Sequence, residues 1–127
     1  MPAPFDQGPL LATSYDVGDG LRVRLRMARG SDLAPIRALI ERRDGTRELD
    51  LHSLLQFDPR RRCVICATAL IDSAETLVGV GAIDLDGDGP AEPDTLLVAH
   101  EHAEAIAELL AGALVARAIH AAQARAA

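Results

Sequence analysis

The sequence contains no lysine and no tryptophan, and all thirteen of its basic residues are arginine. The missing lysine excludes Schiff-base chemistry and a lysine-held pyridoxal cofactor. It also excludes a P-loop, whose lysine grips the phosphates. Aromatic residues make up only 2% of the chain. Stacking platforms for single-stranded nucleic acid are therefore absent, and the core has to be built from Ala, Leu, Val and Ile. Positive charge is in deficit, with a formal net charge of −6. Nucleic acid is a poor partner for such a chain, because phosphate binding is driven by a basic surface. No apolar run approaches the ~18 residues of a membrane span. Residues 1–20 lack the basic start and apolar centre of a secretory signal. The expected location is cytoplasmic.

Cysteine is scarce too: Cys63 and Cys66 are the only two. Their C-x-x-C spacing is one that zinc and redox sites use. Here it falls within a β-rich run, Arg62-Cys63-Val64-Ile65-Cys66-Ala67-Thr68-Ala69-Leu70-Ile71. Residues three apart on a strand point to opposite faces. The two thiols then neither pair nor share a metal, and two small buried side chains are expected.

What the chain does have is 49% hydrophobic residues over 127 positions, enough for one small packed domain. Residues 1–20, rich in Pro and Gly, read as a tail, with residues 10–15 as a short added strand. The single domain follows over 21–127. Leu21-Arg22-Val23-Arg24-Leu25-Arg26-Met27 alternates strictly, which predicts a half-buried strand with its three arginines on a solvated face. Ser31-Asp32 starts a helix, Pro35 sits in its first turn, and Leu33, Ile36, Leu39 and Ile40 form its apolar stripe. Gly45 ends it. Thr46 caps a second helix that turns Leu51, Leu54 and Leu55 inward and stops at Asp58-Pro59.

Residues 63–71 and 76–85 read as an antiparallel hairpin turned at 72–75. Gly79 and Gly81 inside its second strand signal a bulge or a close backbone approach. A loop over 84–93 leads to a short apolar strand at 95–99. Residues 101–125 lack Pro, hold one Gly and repeat apolar residues at helical spacing, which predicts a long helix.

Two metal-like patterns fail on spacing. Asp84-Leu85-Asp86-Gly87-Asp88-Gly89 resembles the first half of a calcium loop, but its twelfth position is Thr95 rather than a bidentate Glu. It reads as an Asp/Gly turn. His100-Glu101-His102-Ala103-Glu104 lacks the second histidine of H-E-x-x-H. His100 and Glu104 share a face only if residue 100 is already helical. No metal site is expected.

Three stretches carry a family likeness. They are Arg26-Met27-Ala28-Arg29-Gly30-Ser31-Asp32-Leu33, then Thr76-Leu77-Val78-Gly79-Val80-Gly81-Ala82-Ile83, then Thr95-Leu96-Leu97-Val98 ahead of the long helix. In order and spacing the chain resembles the GNAT superfamily of acyl-CoA-dependent N-acyltransferases over about residues 21–125. The resemblance implies an α/β fold (α+β in some schemes). Its element order would be β-α-α-β-β-β-α, with a mixed, mostly antiparallel sheet of about four strands. The family's later strand and its helix with a common acid Tyr have no counterpart before Ala127, so the C-terminal elements are expected to be lacking.

The resemblance also places an acetyl-CoA site. Backbone of Leu97, Val98 and Ala99 would hold the pantetheine arm. Backbone of Ala103, Glu104, Ala105, Ile106 and Ala107 would hold the pyrophosphate at a helix start. His100 and Glu101 are the weak candidates for a base. The family's glycines are replaced by Ala103, Ala105 and Ala107, and Glu101, Glu104 and Glu108 load the helix start with charge that repels phosphate. Two functions follow: a degenerate, non-catalytic domain that works by assembly, and, as the alternative, an N-acetyltransferase with an atypical CoA site. With no strand beyond it, the apolar 95–99 segment would be a sheet edge. It predicts a homodimer or partner contact there, or cover by the tail.

Overall fold

The computed structural model describes residues 14–44, 60–85 and 92–126. They form an α/β fold, an open five-stranded sheet with two helices packed on it. In chain order the elements are β1 (Ser14–Asp16), β2 (Arg22–Met27), α1 (Leu33–Asp44), β3 (Arg62–Ile71), β4 (Ala74–Asp84), β5 (Thr95–Val98) and α2 (Ala103–Ala126). Strand order in the sheet follows chain order, and every pairing is antiparallel. The sheet is thus five-stranded and antiparallel throughout, rather than mixed with about four strands. The excursion through α1 explains this: it leaves the sheet after Met27 and re-enters at Arg62, and Met27 lies opposite Ile65. The helix expected from Thr46 to Asp58 and most of the Asp-rich segment, residues 86–91, lie outside the described residues.

The fifth strand is the one added at the N-terminal side. Ser14–Asp16 pairs with β2, Tyr15 facing Val23, while residues 10–13 lie outside the described residues. This strand sits at the opposite end of the sheet from β5, so these residues do not cover the 95–99 margin as expected of the tail. Gly18, Asp19 and Gly20 all take positive φ in the turn between β1 and β2, a conformation that glycine adopts at least cost. The β3–β4 turn is tighter than the expected 72–75. Asp72 and Ser73 alone make it, with φ of 51° and 67°. That is the two-residue geometry whose twist matches paired strands.

The sheet is covered on both faces, so β3 and β4 read as nearly unbroken apolar runs. On one face Val23, Leu25, Cys63, Ile65 and Val78 meet Ile106, Leu110 and Leu114 of α2. On the other, Val64, Cys66, Val80 and Ala82 meet Ile36, Leu39 and Ile40 of α1. Cys63 and Cys66 do face opposite ways, both buried and unpaired. A full burial such as that of Leu110 or Leu114 contributes about 1.5–3 kcal/mol. The two strand glycines explain how α2 comes so close. A Cβ on Gly79 would lie 2.9 Å from Leu110 Cδ1, and one on Gly81 would lie 2.7 Å from Leu114 Cδ1. A bulge is also present beside the first of them: Ala67 lies opposite Gly79 and Thr68 opposite Leu77, so Val78 is the extra residue on β4.

Candidate functional site

The residues singled out for a cofactor converge where β5 ends and α2 begins. Ile106 N–H donates to the His102 carbonyl at 3.1 Å, which opens the helix. His100 lies in the bend before it, so His100 and Glu104 do not share a helical turn. His100 Nδ1 instead accepts the His102 N–H at 3.1 Å, and the two imidazoles stack with centroids 5.6 Å apart. His102 Nε2 reaches Asp19 Oδ2 at 3.3 Å and lies 3.9 Å from Glu101 Oε1. The ring packs over Gly18, where a Cβ would stand 3.4 Å from His102 Cε1. The β1–β2 turn therefore closes over the helix start, and Asp19 adds a carboxylate to those of Glu101 and Glu104.

The cofactor candidates divide by role. Leu97 is buried on the α1 face and Ile106 is fully buried on the α2 face, so both side chains belong to the core. Leu97 pairs with Val80, and the Ala99 N–H donates to the Val78 carbonyl at 3.0 Å. The β4–β5 ladder thus runs on in regular register past Val98, with no bulge among its described residues. Ala103, Ala105 and Ala107 are half-buried, and Glu104 is exposed. Glu101 is exposed and His100 half-buried beside it. The structure gathers His100, Glu101 and His102 at one point, but it aims no isolated base at an open cleft.

Two further clusters were not legible as sites. Asp32 is buried, and Arg26 grips it with two hydrogen bonds of 2.8 and 2.7 Å. The same carboxylate accepts the Arg29 N–H at 2.7 Å and lies 3.7 Å from Cys66 Sγ. The Arg26 hydrogen bonds hold the Asp32 carboxyl below its ordinary range, outweighing its burial. Burial first, and then the Asp32 charge, push the Cys66 thiol up to about 12, so it is no nucleophile at neutral pH. Arg26 was expected on a solvated face; its side chain is only 19% exposed. The spacing Arg-x5-Asp was the available signal, but nothing in alternation reveals a partner on the following helix. The second cluster is a fork: Arg62 bonds Asp84 at 3.0 Å and Asp94 twice at 2.6 Å. It ties β3 to both ends of the loop after β4, and Arg62 in turn lowers the Asp94 pKa.

Among the described residues no group of three His, Cys, Asp or Glu comes together to hold a metal. One expectation about α2 needs correction. It is long enough, and over 18 residues apolar enough (mean hydropathy 1.5), to cross a membrane. Its many alanines raise hydropathy without forming an obvious run. In the fold it lies on the sheet with Ile106, Leu110 and Leu114 fully buried, while only 28% of its apolar stretch is buried. No family profile, curated protein or solved structure matches this chain.

Proposed function

We propose that this chain is a GNAT-like domain that does not transfer acyl groups and acts by assembly. One observation carries the reading: the start of α2 is already closed by the chain's own groups. Where a pyrophosphate would need bare N–H groups, His102 lies against Gly18 and Asp19. Glu101, Glu104 and Asp19 surround the position with negative charge, which opposes phosphate at close range. The regular β4–β5 ladder supports the same conclusion, since the Ala99 N–H that would meet a pantetheine arm is spent on Val78. Calorimetry with acetyl-CoA near pH 7 tests it. Binding is expected to be no tighter than a Kd of about 1 mM, or roughly −4 kcal/mol. A micromolar Kd would overturn the reading in favour of an acyltransferase.

The partner we infer is a second copy of the chain, meeting at the 95–99 margin. Its support is that β5 closes the sheet at that end among the described residues, with Leu96 and Val98 only partly buried. Leu96 is already engaged within the chain, and the apolar side chains of the margin are what the contact would cover. Light scattering at micromolar concentration should give twice the mass of one chain. A monomer whose mass does not change on dilution would end the proposal. Two unpaired, buried thiols are compatible with the cytoplasmic location we infer.

A further inference from the structure

The α1 face of the sheet carries two overlapping clefts that the reading above does not use. One, of about 410 Å³, lies between β2, β3 and the start of α1, and includes Arg24, Arg29, Thr68 and Glu75. The other, of about 460 Å³, extends toward β1 over Leu21, Ala69 and Leu70. They share Arg24, Thr68 and Glu75, so they form one groove with a polar end and an apolar end. Each is of small-molecule size.

The register explains the polar end. Arg24 lies directly opposite Thr68, and Arg29 reaches the same cleft from the turn before α1. Arg26 also lines it, but its charge is matched by Asp32. Arg24 and Arg29 are exposed and have no carboxylate partner among the described residues. Thr68 is only 4% exposed yet lines both clefts. Against the two arginine charges stands the single carboxylate of Glu75. Arg22 also lines the groove, so its lining is net positive, in a chain that is strongly acidic overall. At the apolar end, Leu70 is 71% exposed on a sheet whose other large side chains are mostly covered.

We propose that this groove binds a small amphipathic monocarboxylate. Its carboxylate would lie between Arg24 and Arg29 and accept the Thr68 hydroxyl, and its hydrocarbon body would lie along Leu70. An anionic head suits the excess positive charge of the lining. Guanidinium groups and carboxylates match in geometry as well as in sign. Covering Leu70 removes apolar surface from water.

Amide NMR titration of the full chain with sodium hexanoate tests this, with sodium acetate, inorganic phosphate and sodium chloride at matched ionic strength as the other arms. Hexanoate is expected to shift the amides of Arg24, Arg29, Thr68 and Leu70 together, and to saturate at millimolar concentration. The pair Arg24→Gln with Arg29→Gln should raise its Kd roughly tenfold or more, as loss of charge-assisted hydrogen bonds does. Leu70→Ser should weaken hexanoate and leave acetate unchanged. Arg37→Gln, an exposed arginine of α1 outside the groove, should change nothing. Shifts that do not saturate, that chloride reproduces, or that survive the double substitution would overturn the proposal. Tighter binding of inorganic phosphate than of hexanoate would overturn the carboxylate assignment. Because the wild-type arms decide alone, a folding defect in a variant leaves the test intact.

Discussion

The two faces of the sheet are held by different physics. The α2 face is a contact of hydrocarbon on bare backbone: Leu110 and Leu114 rest where Gly79 and Gly81 have no side chains. No buried charge is needed there, and the acidic helix entrance stays near solvent. The α1 face has the opposite arrangement. Its apolar contact is smaller, and its helix entrance is fixed by a buried carboxylate that Arg26, the Arg29 N–H and Cys66 surround. Close packing tolerates no added atoms, whereas a buried ion pair tolerates no lost partner. The open groove lies on the face where polar groups already had to be accommodated.

The largest effect should come from breaking the pair. Asp32→Ala leaves Arg26 mostly buried without its anion and removes the acceptor for the Arg29 N–H. Loss of one partner of a buried ion pair costs about 3–5 kcal/mol. Arg26 keeps some exposure, so the lower end of that range is expected from urea unfolding. A loss below about 1 kcal/mol would put Asp32 with ordinary surface pairs. On the other face, Gly81→Val should cost about 2 kcal/mol by overpacking. Its Cβ alone would lie 2.7 Å from Leu114 and 3.1 Å from Leu96. The companion Leu114→Ala should recover part of that loss, because it vacates the space. If the two losses simply added, the contact between helix and glycine would not be the cause.

The contrast also explains what could be read in advance. Strand alternation in Leu21 to Met27, the α1 stripe, the hairpin and the opposed thiols all follow from local periodicity, and the fold has each of them. The two glycines in β4 signalled either a bulge or a close approach. The structure has both in that strand: the close approach at the two glycines, and the bulge at Val78 beside Gly79. The β1 pairing, the antiparallel sheet and the placement of Arg26 depend on contacts between segments, about which periodicity is silent. The candidate cofactor residues lie together at the β5–α2 junction simply because they are consecutive in sequence. That the β1–β2 turn would close over them was not legible, since Asp19 is more than eighty positions from His102. The groove was hidden for the same reason: Arg24, Arg29, Thr68 and Leu70 meet only across strands.

The smallest expected effect is a dependence on pH that belongs to one face. The folded protein holds Asp32 below its ordinary carboxylate pKa, mainly through the Arg26 hydrogen bonds. The unfolded chain then binds a proton more readily than the folded one. The stability this confers is fully present above the unfolded pKa near 3.8 and is lost as pH falls through the lower folded value. Asp94, lowered by Arg62, adds a contribution of the same sign. Urea midpoints should therefore be flat near neutrality and fall once pH drops below about 5. Asp32→Asn removes the titrating group while keeping its size. It should start from lower stability and show a shallower fall, the residual slope being the share of Asp94 and the other carboxylates. Its deficit should narrow as pH drops, since wild-type Asp32 progressively loses the charge that the variant never had. Parallel curves for the two proteins between pH 6 and 3 would mean that Asp32 does not titrate differently on folding. The α1 face would then be held by its apolar contacts, as the α2 face is.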